Sequence, residues 1–191
     1  SIIENVVNSG NFPNLTTIFV TGHSSGGFFT QHYALANRAE NIYTEINFEY
    51  GIANNQYFYY PDGVRYDEST QQFVTPNNCS GYNFWPYGYQ FSVPYLDGIE
   101  ESIITGQQVT RNTTYLLGSN DTSTTGSLNT SDCQATLLGS NRVMRGENMH
   151  LYMQTFYEET NKQEKIIVNN VGHNGYNMYN STEFKQYIMN N

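Results

Sequence analysis

Residues 16–27 read Thr-Thr-Ile-Phe-Val-Thr-Gly-His-Ser-Ser-Gly-Gly, and this run restricts the fold more than any other part of the chain. Its β-branched and aromatic residues spell a strand, which ends in Gly22-His23-Ser24-Ser25-Gly26 and passes directly into helix-compatible sequence. A strand that reverses into a helix within one tight turn must hold the turn residue in a strained backbone conformation between small neighbours. Gly22 and Gly26 are expected to give that room, with Ser24 at the centre of a nucleophile-elbow pattern. A glycine-rich loop that contains a serine arises often by chance, so the weight of the pattern depends on its partners elsewhere.

Two residues complete a serine, acid, histidine constellation in that order. Asp121 follows residues 113–118, Thr-Thr-Tyr-Leu-Leu-Gly, which read as a buried strand opening into the polar loop Ser119-Asn120-Asp121-Thr122. His173 stands in Val171-Gly172-His173-Asn174-Gly175, after the strand-like run Lys165-Ile166-Ile167-Val168. The flanking glycines would let that loop carry an imidazole back over a sheet. Asp97 and Asp132 are the reserve acids. His23, inside the elbow, is expected to pack away from the serine, and His32 to be a surface or boundary residue.

With these motifs in place the chain resembles the α/β-hydrolase superfamily, and within it secreted or vacuolar serine-hydrolase-like proteins of microbes and lower eukaryotes. The resemblance is carried by Gly-His-Ser-Ser-Gly-Gly with Tyr33-Ala34-Leu35-Ala36-Asn37 in the next helix, Tyr115-Leu116-Leu117-Gly118 with Asp121-Thr122, Asn141-Arg142 with Arg145-Gly146, and Val171-Gly172-His173. It implies that Ser24 is the nucleophile, Asp121 the acid and His173 the base, and that the Ser25 backbone amide donates to an oxyanion. It implies an α/β fold with a mainly parallel sheet flanked by helices. In that fold an earlier strand-to-helix loop gives the second oxyanion donor. Little sequence precedes the elbow strand here, so residues 1–191 are expected to form a single partial domain, the C-terminal part of the fold, with the N-terminal half as its missing partner.

Residues 54–95 hold Tyr57, Phe58, Tyr59, Tyr60, Phe84, Trp85, Tyr87, Tyr89 and Tyr95 among Gly, Pro and Asn, too long a stretch for a simple connection. Members of the superfamily commonly carry a cap in this region, so the segment is expected to be an aromatic-rich, cap-like insertion. Two readings stay open for its tyrosines: an apolar wall for an acyl or sugar group, or packing of an irregular excursion. Cys79 and Cys133 lie in this insertion and shortly after the acid loop. A disulfide between them fits an oxidising compartment and the cysteine placement of the resembled group; two buried thiols are the alternative.

Eight basic against seventeen acidic residues give a formal charge of −9, which disfavours a polyanionic partner, so nucleic acid is not expected. No apolar run approaches the roughly 20 residues that span a bilayer. The four histidines lack ligand spacing, and neither metal nor cofactor is expected. Six Asn-x-Ser/Thr sequons, at Asn14, Asn78, Asn112, Asn120, Asn129 and Asn180, favour a secreted or vacuolar/lysosomal glycoprotein. Modification at Asn120 would crowd Asp121.

The coarse element reading is helix 2–9, strand 16–21, helix 25–38, strand 43–49, helix 95–105, strand 112–118, helix 147–160, strand 164–169 and helix 181–190. This alternation predicts a parallel sheet. The expected activity is hydrolysis of a small-molecule or lipid carboxylic ester, thioester or amide through an acyl-enzyme. A catalytically inactive binding module of the same fold, or acyl transfer to an acceptor other than water, are the alternatives.

Overall fold

Four strand-forming runs, the two central ones buried along nearly their whole length and the two outer ones half-buried, pair into one parallel sheet in the computed structural model, which describes residues 2–191. In chain order the elements are α1 (Ile2–Asn8), β1 (Thr17–His23), α2 (Ser25–Ala36), α3 (Ala39–Ile42), β2 (Asn47–Ala53), β3 (Arg65–Asp67), β4 (Gln72–Val74), α4 (Glu101–Thr110), β5 (Asn112–Gly118), α5 (Cys133–Thr136), α6 (Arg142–Tyr157), β6 (Gln163–Val168), α7 (Gly175–Asn180) and α8 (Thr182–Asn190). The sheet runs β1-β2-β5-β6, and β3 with β4 forms a separate antiparallel hairpin. Register sets Val20 beside Tyr50, Ile52 beside Tyr115 and Leu116 beside Ile166.

Alternation along β5 divides the core. Tyr115 and Leu117 pack with Met149, Tyr152 and Met153 of α6, whereas Leu116 faces Met178, Phe184 and Tyr187 of α7 and α8. Parallel strands covered by helices on both sides must be apolar on both sides, which is why these runs hold few alternating polar residues. Among the described residues no helix is long and apolar enough to cross a membrane.

The second strand lies at 47–53 rather than 43–49. The strand runs through Gly51: a Cβ there would stand 2.8 Å from Thr21 Oγ1, and that hydroxyl donates to the Gly51 carbonyl at 2.9 Å. The glycine is therefore a point of close strand approach. Helix α6 starts at Arg142, ahead of the expected 147, because the Asn141 side chain caps it by accepting the Met144 N–H at 3.0 Å. The chain enters α4 later than expected, through a 3₁₀ turn at Pro94–Leu96. Helix α7 and the β3–β4 hairpin were not foreseen.

Within residues 54–95 the aromatic residues separate by burial. Phe58, Tyr59 and Tyr60 are fully buried, Tyr57 and Tyr87 are half-buried, and Phe84, Phe91 and Tyr95 are exposed. Tyr59 is clamped through its backbone: its N–H donates to Gln31 Oε1 and its carbonyl accepts from Gln108 Nε2, both at 3.1 Å. Buried arginines tie the rest. Arg65 donates to the carbonyls of Asp62, Val64, Tyr82 and Tyr87 and lies 4.3 Å over the Tyr60 ring. Arg145 donates to those of Gln56, Asn129 and Gly139. Such side chains satisfy loop carbonyls that have no place in a sheet. Cys79 and Cys133 form a disulfide.

His32 departs from its expected boundary position. It is buried between Trp85 and Phe28, bonded to the Phe28 and Pro86 carbonyl oxygens at 2.8 and 3.3 Å, and burial lowers its pKa to about 4. It is a neutral core histidine.

Candidate active site

All three predicted site residues follow the carboxyl ends of strands, where loops at one edge of a parallel sheet converge. Ser24 follows β1, Asp121 follows β5 and His173 follows β6. Ser24 has φ 57° and ψ −117°, a left-handed conformation rare for a residue with a Cβ. Two backbone bonds hold it there: its N–H donates to Ala53 O at 2.9 Å, and its carbonyl accepts the Phe28 N–H at 3.0 Å.

The two elbow glycines are not equivalent, which corrects the sequence expectation. A Cβ on Gly22 would lie 2.2 Å from the Gly26 carbonyl group, so Gly22 cannot carry one, whereas a Cβ on Gly26 would meet nothing within 4 Å. Gly27 does the work assigned to Gly26, since a Cβ there would fall 2.9 Å from Ala53 O and hold α2 off the sheet. Gly22→Ala is therefore expected to destabilise the fold by about 3 kcal/mol or more through backbone overlap. Gly26→Ala, inside α2, is expected to be neutral or to stabilise by up to about 1 kcal/mol through helix propensity. Denaturant unfolding of both variants checks this, and equal losses would refute the distinction.

A hydrogen-bonded line joins the three residues. His173 Nε2 lies 3.0 Å from Ser24 Oγ, and His173 Nδ1 lies 2.8 Å from Asp121 Oδ2. The Asp121 side chain is 1 % exposed and that of His173 28 % exposed, so the acid is sealed while the imidazole reaches solvent. Asp121 is fixed by its own N–H, which donates to Gly118 O at 2.8 Å. Ser25 is the first residue of α2, where a backbone N–H has no intrahelical acceptor. Asp97 and Asp132 are exposed; Asp132 accepts from the Asn129 side chain at 2.7 Å, and neither aspartate bonds to His173.

Three further residues surround this line. Arg142, buried at the start of α6, brings Nη1 to 3.6 Å from Asp121 Oδ1 and donates from Nη2 to Ser127 Oγ at 3.0 Å. His23 packs away from Ser24, as expected, with its ring 4.8 Å from the His173 ring. Burial first, and then the neighbouring His173, hold His23 below the ordinary imidazole range, against an opposing pull from Asp121. Its Nε2 lies 3.3 Å from Asn54 Nδ2. Arg142 was visible in the Asn-Arg motif without a role, and Asn54 carried no signal beyond a polar turn. Among the described residues no group of three or more His, Cys, Asp or Glu side chains could hold a metal ion.

No protein-family model matches the sequence, and no curated protein matches it at a significant level. Solved structures do share its backbone. The poly(3-hydroxybutyrate) depolymerase LpqC from Bordetella parapertussis superposes with a TM-score of 0.64 at 18% identity, over 93% of this chain and 52% of that one. Poly(aspartic acid) hydrolase-1 from Sphingomonas sp. KT-1 superposes with a TM-score of 0.66 at 18% identity, over 98% of this chain and 59% of its own. The chain thus spans between half and three-fifths of the length of these structures. At this identity the likeness is one of architecture alone: the chain has an α/β-hydrolase-like fold.

Proposed function

We propose that the protein is a serine hydrolase that cleaves a carboxylic ester, thioester or amide through an acyl-enzyme. The observation that carries this reading is the unbroken line from Ser24 Oγ through the His173 ring to the buried Asp121 carboxylate. His173 Nε2 takes the Ser24 proton as Oγ attacks the carbonyl carbon, and the Ser25 amide donates to the resulting oxyanion. Asp121 holds the tautomer that leaves Nε2 free as base, and stabilises the imidazolium. His173 then gives the proton to the leaving group, and water, activated by the same nitrogen, releases the acid.

Phe28, one turn along α2 from Ser24, meets the Tyr57 ring edge-on at 6.2 Å, and Tyr57 meets Tyr87 at 5.8 Å. We assign these half-buried rings to the wall that receives the acyl group, with Phe58, Tyr59 and Tyr60 serving the core. The two solved neighbours are named for a polyester and a polyamide, and both bond types belong in the substrate screen. Incubation of the protein, in its full natural chain, with a fluorophosphonate probe tests the reading. Covalent capture at Ser24 supports it; a folded protein that takes up no probe rejects it in favour of a binding module with the same aromatic wall.

A secreted or vacuolar site of action accompanies this proposal, and the sequons sort themselves by access. Asn14, Asn78 and Asn180 are exposed, Asn180 with one local bond to Tyr176 O, whereas the half-buried Asn112 donates to Asn47 and Glu49 and the half-buried Asn129 donates to Tyr57 and Asp132. Expression through a secretory host is expected to give glycans at the first three and none at Asn112 or Asn129. Peptide mass spectrometry decides, and occupancy of Asn129 in folded protein would contradict the internal bonding.

A further inference from the structure

We propose that Asn54 is the positioning residue of this site, a single buried side chain that fixes the serine elbow, the acid strand and the histidine loop relative to one another. The inference rests on the serine-hydrolase reading above. Asn54 is the residue after β2, the strand between the one that leads to Ser24 and the one that leads to Asp121. It is 1 % exposed. Its Oδ1 accepts the Gly118 N–H at 2.8 Å, at the end of β5 and close before Asp121. Its Nδ2 donates to Gly172 O at 3.0 Å, adjacent to His173, and faces His23 Nε2 at 3.3 Å, adjacent to Ser24. One amide therefore bonds a near neighbour of each member of the triad.

No other side chain meets all of these demands. The backbone of Asn54 has φ 45°, which asparagine tolerates and most residues do not, and its N–H is held by Leu116 O at 3.0 Å. Glycine would keep that backbone and lose every side-chain bond. Aspartate would keep the acceptor toward Gly118 and set a carboxylate oxygen against the Gly172 carbonyl and the His23 nitrogen. Because Nδ2 donates to His23 Nε2, it favours the neutral His23 ring, and so keeps a second positive charge away from His173 when that residue takes the serine proton. Misplacement of reacting groups by about 1 Å costs on the order of 10²-fold in rate, so a residue that sets three segments at once acts on turnover more than on substrate affinity.

The experiment compares the parent in its full natural chain with Asn54→Gly and Asn54→Asp. It measures saturation kinetics of fluorophosphonate labelling, thermal unfolding, and the titration of His23 followed by NMR. The expected result is that both variants fold, that the limiting labelling rate falls on the order of 10²-fold with half-saturation unchanged, and that His23 titrates at higher pH, further so in Asn54→Asp. A parent that labels, with variants that label at the same rate per folded molecule, overturns the positioning role even if they melt earlier, because a purely structural residue would move only the melting. An unmoved His23 titration overturns it too. A folded parent that takes up no probe is a different failure: it removes the hydrolase reading, and the catalytic sense of Asn54 with it.

Discussion

The Ser24→Ala protein is expected to fold like the parent, to take up no fluorophosphonate, and to lose on the order of 10⁶ in turnover number, as removal of a triad serine does elsewhere. Folding is preserved because the left-handed conformation at position 24 is imposed by the Ala53 and Phe28 backbone bonds, and alanine bears it no worse than serine. Chemistry is lost because, among the described residues, no other hydroxyl bonds to His173 Nε2. Melting curves and steady-state rates on an activated ester measure both halves. Residual turnover within tenfold of the parent would mean that Ser24 is not the nucleophile.

The second large effect is at Asp121. Asp121→Asn keeps shape and volume but exchanges a carboxylate for an amide at the one place where His173 Nδ1 finds an acceptor. If the amide N–H₂ turns toward Nδ1, the imidazole must carry its proton on Nε2, where it faces Ser24 as donor and cannot act as base. If the amide oxygen turns toward Nδ1, the N–H₂ points at the Arg142 guanidinium, a donor against a donor at a distance that is 3.6 Å in the parent. Both arrangements fail, and turnover is expected to fall about 10⁴-fold with little change in KM. A loss below tenfold would show that the carboxylate does not govern the tautomer.

Much of this site was legible in the sequence because its parts are punctuated locally. The elbow advertises itself by a β-branched run, a serine between glycines, and an abrupt change to helical sequence. Asp121 and His173 each follow a short apolar run that has nowhere to lie but in the sheet. Asn54 and the function of Arg142 were hidden for the opposite reason: their partners are Gly118, Gly172 and Asp121, contacts that exist only once β2, β5 and the loop after β6 stand side by side. Strand β2 lies four residues later than expected and runs through Gly51, whose use is tertiary, to let Thr21 approach. His32 was misread because a polar ring between Trp85 and Phe28 is buried by a cis-proline turn far along the chain. The half-buried and buried tyrosines of residues 54–95 look alike in sequence, and only burial separates Tyr57 from Tyr59.

The Cys79–Cys133 bridge joins residues 54 apart in sequence, and Asp121 lies inside the loop that it closes while Ser24 and His173 lie outside. In a chain-entropy treatment, closure of a loop of that length removes about 4 kcal/mol of freedom from the unfolded chain. That restriction falls on the stretch that carries β5 and Asp121, and not on the stretches that carry Ser24 and His173. Reduction would return that freedom to the unfolded chain, so the thiol–disulfide balance of the surroundings sets the stability of the whole fold on which the Asp121–His173 contact depends.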